Sequence, residues 1–145
     1  MHASTRVEQL LVSKGREVHS VAPDATVLEA LRLMAEHNVG ALAVKEGSRL
    51  VGMFSERDYA RKVILQGRAS RDTPVSDSMT PDVVTVTPAD DMSHCMQLMT
   101  DRRIRHLPVL DGDELVGLVS VGDVVKAVME EQRFMIEQLE SYIRS

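Results

Sequence analysis

Apolar positions along the chain change period several times, and each change marks an element. Two short β-branched runs, VHSV at 18–21 and VVTV at 83–86, read as strands, and Pro23 and Pro88 close them. Val27, Ala30, Leu31, Met34 and Ala35 then fall at i, i+3, i+4, i+7 and i+8, which is one face of a helix. Thr26 and Glu29 have the spacing of a capping box at its start, where each side chain can satisfy a backbone N–H of the other's turn. Met92, Cys95, Met96 and Met99 repeat that face later in the chain. After each helix come two apolar runs joined by a tight turn: ALAV and LVGMF around Glu46-Gly47, LPVL and LVGLV around Asp111-Gly112. An acidic residue followed by glycine between such runs predicts a hairpin. Further helices are predicted from Ser55 to about Gln66 and from Ser120 onward.

The order strand–helix–strand–strand–helix therefore occurs twice. Shifting the chain by 65 residues aligns Val18–Ile64 with Val83–Met129 without a gap, and 14 of the 47 aligned positions are identical. Among them are Pro23/Pro88, Gly52/Gly117, Ser55/Ser120 and Asp58/Asp123. One copy, with a small sheet and two helices, cannot bury both sheet faces. Two copies can cover each other, so the predicted fold is α/β (α+β), with two β-α-β-β-α repeats related by a pseudo-twofold.

The expected organisation is 1–66 for the N-terminal segment and first repeat, and 67–78 for a polar linker. The second repeat occupies 79–130 and a helical extension 131–145. In the extension Val128, Met135, Leu139 and Tyr142 hold an apolar stripe at about 3.5-residue spacing, interrupted by Gln132. No further repeat is present to cover it, and a homodimer is the expected solution.

Composition narrows the function. At 145 residues, 43% hydrophobic and 27% charged, the chain has the makeup of one ordinary globular domain. No apolar run approaches the roughly 18–20 residues of a membrane span, and MHASTRVEQL has no apolar signal core. With a single cysteine, Cys95, a cytoplasmic, reducing setting is expected, and Cys95 itself reads as core. The net charge of −5 and 3% aromatic content argue against a general nucleic-acid surface. None of the five histidines has the spacing of a metal site, and no phosphate-loop, dinucleotide, nucleophile-elbow or zinc-protease motif occurs. Catalysis and catalytic cofactors are therefore not expected.

The motifs VAPDATVLEALRLMAEHNVGALAV, LVGMFSERD, SDSMTPDVVTVTP, MTDRRIRHLPVLD and LVGLVSVGD resemble a tandem pair of cystathionine β-synthase (CBS) domains, a Bateman module, over about Leu10–Met129. The layout is similar to small stand-alone CBS-pair proteins. That resemblance implies a non-catalytic sensor of adenosine-containing ligands bound in clefts between the repeats. AMP is expected first, with ADP, ATP, NAD(H) or S-adenosylmethionine as alternatives, and the regulated protein partner is unknown.

Ser55-x-x-Asp58 and Ser120-x-x-Asp123 each stand where a strand becomes a helix. A carboxylate there can accept both hydroxyls of a ribose, with charge strengthening the bonds. The same spacing also serves as a helix cap. By the resemblance, Ser55 and Asp58 would work with Thr80, Val84, Arg105 and His106, and Arg57 and Arg61 could assist. Ser120 and Asp123 would work with Lys14, His19, Gly40 and Ala41. Gly40 and Ala41 would leave room for an adenine, and Arg105 would favour phosphate. Arg102 and Arg103 fit cations at a helix C-terminus. Two other readings stay open: a ligand-free dimerisation or protein-interaction module, in which Ser-x-x-Asp only caps, and nucleic-acid binding through Arg102–His106.

Overall fold

The computed structural model describes residues 4–144. In chain order the elements are α1 (Val7–Lys14), β1 (Ser20–Val21), α2 (Val27–His37), β2 (Ala41–Glu46), β3 (Arg49–Ser55), α3 (Glu56–Tyr59), α4 (Met92–Arg102), β4 (His106–Asp111), β5 (Glu114–Ser120) and α5 (Val121–Arg144). Two compact units result. One comprises Glu17–Val84 with Gly112–Val116; the other comprises the chain up to Arg16, Thr85–Asp111 and the chain from Gly117 onward. Mixed helix and sheet in both repeats, followed by a long final helix, is the architecture the hydrophobic pattern predicts.

In the first unit β1, β2 and β3 form one sheet, with β1 parallel to β2 and β2 antiparallel to β3. The ladder pairs Ala41 with Ser55, Leu42 with Phe54 and Val44 with Gly52. Alternation then sends Leu42, Val44 and Phe54 into a core with Val27, Ala30 and Met34 of α2. The predicted capping box on α2 is present: Glu29 N–H donates to Thr26 Oγ1 and Thr26 N–H to Glu29 Oε2, both at 3.1 Å. The segment after α3 is part of this unit. Ala60–Ile64 continues α3 as a π-helical turn that seats Val63 in the core. Beyond it Thr73, Val75 and Ser78 are buried, and Val75 N–H donates to the Ala25 carbonyl at 2.8 Å. Val75 is the apolar anchor of this otherwise polar stretch, and Ser76 N–H donates to the Pro23 carbonyl at 2.9 Å.

In the second unit α1 packs with the elements of the second repeat. Val7 and Leu11 are buried, and Val7 N–H donates to the Asp90 carbonyl at 2.7 Å. Met92, Cys95 and Met99 of α4 are buried with Leu107, Val109, Val119 and Val124. β4 and β5 pair as the predicted hairpin. The expected strand at 83–86 shrinks to one parallel bridge, Val86 to Val109. The cause is visible in the alignment of the repeats. Ala43 N–H donates to the His19 carbonyl at 3.1 Å in the first repeat. Its counterpart is Pro108, which has no N–H to give.

α5 begins at Val121 and runs for 24 residues. Val124 and Ala127 face the unit, whereas from Gln132 to Arg144 every residue is exposed.

Candidate ligand site

Both Ser-x-x-Asp pairs stand where a hairpin strand ends and a helix begins, and both fold into the same small ring of hydrogen bonds. Ser55 N–H donates to Asp58 Oδ2 at 3.0 Å, and Asp58 N–H donates back to Ser55 Oγ at 3.2 Å. In the second repeat Ser120 N–H donates to Asp123 Oδ2 at 2.9 Å, and Asp123 N–H to Ser120 Oγ at 3.2 Å. The capping geometry is therefore real. It also fixes the rotamer of each carboxylate.

The strand before each helix is positioned by the other arm of its repeat. Glu56 N–H donates to the Gly40 carbonyl at 3.1 Å, and Val121 N–H to the Arg105 carbonyl at 2.9 Å. Gly40 and Ala41 are thereby placed beside Ser55 through the main chain, and Arg105 beside Ser120.

The surroundings of the two carboxylates differ. Asp58 is buried, 8% exposed, and engages both oxygens. Its Oδ2 also accepts from Ser55 Oγ at 3.1 Å. Its Oδ1 accepts from Thr80 Oγ1 at 3.1 Å and lies 3.1 Å from Lys62 Nζ. Thr80 reaches it because 79–80 runs along β3: Thr80 N–H donates to the Met53 carbonyl at 2.8 Å, and Met53 N–H to that of Thr80 at 3.0 Å. Gly52 permits this approach, since a Cβ there would come within 2.9 Å of the Thr80 carbonyl oxygen.

Asp123 has no counterpart of Lys62, because Ala127 stands at that position. Its cation arrives from α1. Lys14 Nζ is 2.6 Å from Asp123 Oδ2 and donates to the Leu118 carbonyl at 2.8 Å. Burial pushes the Asp123 carboxyl up, but the Lys14 ammonium and the Ser120 N–H outweigh it and hold the group below the ordinary carboxylate range.

Of the expected site residues, the first unit thus brings together Ser55, Asp58 and Thr80, with Gly40 and Ala41 adjoining. The second brings together Ser120, Asp123 and Lys14, with Arg105 adjoining and His106 opening β4. Val84 is half-buried and makes no described bond to Asp58. The His19 ring stacks on His37 with centroids 3.7 Å apart and planes at 16°. Sequence reasoning missed Lys62, which its i+4 spacing from Asp58 could have revealed. Among the described residues no group of three or more His, Cys, Asp or Glu could hold a metal, and no helix is long and apolar enough to cross a membrane.

Comparison with known proteins agrees with this duplicated geometry. The family model described as "CBS domain" matches twice, at residues 7–65 and 75–130. The chain is 45% identical to the CBS domain-containing protein CBSX3, mitochondrial, of Arabidopsis thaliana, over 97% of this chain and 73% of the plant protein. A solved structure of a Burkholderia ambifaria protein with CBS domains shares 48% identity and superposes with a TM-score of 0.85, covering 88% of this chain and 96% of that one. The CBS domain pair of protein MJ0100, solved with 5′-methylthioadenosine and S-adenosylmethionine, has the same fold at 23% identity, with a TM-score of 0.79 over 89% of this chain and 99% of that one. With both domain matches and both Ser-x-x-Asp rings in place, this chain belongs to the CBS domain family and carries two copies of the domain in tandem.

Proposed function

We propose that the protein is a non-catalytic regulatory module that binds adenosine-containing ligands through the Asp58 and Asp123 carboxylates. The observation that carries this reading is the hydroxyl already seated on Asp58. Oδ1 accepts Thr80 Oγ1 at 3.1 Å while Ser55 N–H holds Oδ2. A sugar hydroxyl that takes the place of Thr80 Oγ1 on Oδ1 meets the same fixed acceptor, whose charge strengthens the bond. Asp123 is more open. Its side chain is 21% exposed, and both of its described bonds as acceptor fall on Oδ2. AMP is the first candidate, followed by ADP, ATP, NAD(H) and S-adenosylmethionine. MJ0100 at 23% identity speaks for the scaffold, and the ligand reading rests on these carboxylates. A thermal-shift panel of the six compounds tests it. A ligand at 100 times its dissociation constant adds about 2.7 kcal/mol. No shift with any of them would favour a ligand-free association module.

A specific observation also supports a homodimer through α5. Val121, Val125, Met129, Met135, Ile136, Leu139, Tyr142 and Ile143 are 39–80% exposed along one broad face of the helix. Val121, Val125, Val128, Gln132, Met135, Leu139 and Tyr142 follow a 3.5-residue repeat, which suits the same helix of a second copy. A shallow concavity of about 440 Å³ borders this face, lined by Val121, Val125 and Met129 together with Gly122, Lys126, Glu130 and Arg133.

A further inference from the structure

We infer that α5 pairs with α5 of a second copy in antiparallel orientation, so that the free half of each helix lies along the anchored half of the other. The inference rests on the proposed homodimer and adds the orientation and register of its helices.

The flanks of the apolar seam decide the orientation. The seam runs from Val121 to Tyr142 in alternating steps of four and three residues. Met129, Ile136 and Ile143 each follow a seam residue and make one flank, and they are 55%, 55% and 78% exposed. Val124, Glu131 and Gln138 each precede a seam residue and make the other flank. The start of that second flank is already engaged within the chain. Val124 is 1% exposed, and Glu131 Oε1 accepts the Thr5 N–H at 2.7 Å. In a parallel pair the first flank of one helix meets the second flank of the other, which would set Ile136 against Glu131 and Ile143 against Gln138. In an antiparallel pair like flanks meet, so Ile136 faces Ile136 and Met129 faces Ile143.

The length of α5 agrees. Of its 24 residues, those up to Glu131 are held by their own unit through Val124 and Ala127, whereas every residue from Gln132 to Arg144 is exposed. A parallel pair would leave the two exposed halves on each other alone, over about 20 Å, a length at which isolated helices are marginal. An antiparallel pair lays each exposed half on a half that is already fixed. Antiparallel registers that keep seam on seam differ by seven residues. The one nearest to full overlap places Val125 opposite Tyr142, Val128 opposite Leu139 and Gln132 opposite Met135. Charge agrees with this register. Lys126 and Glu140 stand one row outside the apolar flank, and the ammonium of each copy comes to the carboxylate of the other. Arg133, at the centre of that row, has Glu130 and Glu137 at i−3 and i+4 on its own helix.

The test is disulfide trapping in the full-length protein with Cys95→Ala, which places there the residue type of the aligned Ala30. Val125→Cys and Tyr142→Cys are oxidised separately, and again as a mixture first equilibrated under reductant. The expected result is linked dimer in the mixture and little in either variant alone, because positions 125 and 142 come within disulfide reach only in the antiparallel pair. Linking of each variant with itself shows a parallel pair and overturns the inference, while the homodimer reading stands. A protein that sediments as a dimer but links in no sample has its interface elsewhere, which overturns both the inference and the role of α5. Ile136→Lys gives the answer if a cysteine variant fails to fold. In the antiparallel pair two ammonium groups meet, and the dimer dissociation constant from sedimentation is expected to rise about tenfold or more. In a parallel pair each would meet Glu131, so an unchanged constant overturns the inference. A wild-type protein that is monomeric at high micromolar concentration overturns the homodimer reading and the inference with it.

Discussion

Leu11 lies directly on Gly117: a Cβ built on that glycine would come within 2.6 Å of Leu11 Cδ2. Gly52, the equivalent residue of the first repeat, is covered instead by the Met79 side chain and the Thr80 carbonyl. A segment crossing a glycine thus delivers a partner to each carboxylate, Lys14 to Asp123 and Thr80 to Asp58. Substitution separates the two cases. Gly52→Ala meets backbone and is expected to cost about 2–3 kcal/mol, whereas Gly117→Ala meets the end of one side chain and costs about 1 kcal/mol. Urea unfolding midpoints of the two variants check this order, and equal losses would contradict it.

The lowered carboxyl of Asp123 makes stability depend on acid. Its charged form is favoured in the folded state, so the contribution is complete above the ordinary carboxylate range. It is lost as pH falls through the lowered folded value. Both side chains are partly exposed, at 33% for Lys14 and 21% for Asp123, so water screens the pair. Lys14→Gln is expected to cost about 1 kcal/mol at pH 7 and less near pH 2. Denaturation of wild type and variant at both pH values measures the difference, and a cost independent of pH would oppose this account.

Cys95 is buried on the inward face of α4, and burial, reinforced by Asp90 and Asp91, raises its thiol to about 11. The thiolate is the reactive form. Iodoacetamide at pH 7.5 is expected to leave the folded protein unmodified and to label it once in urea. Rapid labelling without denaturant would show that α4 opens readily.

Much of this arrangement was legible in the sequence, for physical reasons that can be named. The 65-residue repeat and the helical period exposed most of the cores of α2 and α4, because burial constrains one face of each helix; Ala35 and Met96, read on the same faces, are exposed, since they stand at the edge of each stripe. The Ser-x-x-Asp pairs were legible because capping requires that spacing. The shortened strand at 83–86 was not foreseen, although Pro108 stood in the aligned position of Ala43; its effect depends on which N–H the parallel pairing uses. The pairing of Lys14 with Asp123 was only approached, since it depends on how α1 packs across 109 residues of chain separation. The π-helical turn at Ala60–Ile64 has no sequence signature that we can identify.

The apolar face of α5 predicts self-association. Leu139 and Ile143 are 60% and 78% exposed on that face. Leu139→Lys places a charge on the stripe and is expected to weaken a dimer at least tenfold without lowering the stability of the two units. Sedimentation at micromolar concentration reads the change. A wild-type protein that stays monomeric at high micromolar concentration would contradict the proposal.

The central claim is that fixed carboxylates receive a ribose, and the 2′-hydroxyl tests it most directly. Calorimetric titration of AMP and 2′-deoxy-AMP into the wild-type protein compares ligands that differ by one hydroxyl. Loss of a hydrogen bond to a charged acceptor costs about 1.5–3 kcal/mol, so 2′-deoxy-AMP is expected to bind at least tenfold more weakly. In Asp58→Asn/Asp123→Asn, AMP itself should fall to the deoxy level or below. Equal affinity of the wild-type protein for AMP and 2′-deoxy-AMP would contradict the assignment of Asp58 and Asp123 as ribose acceptors.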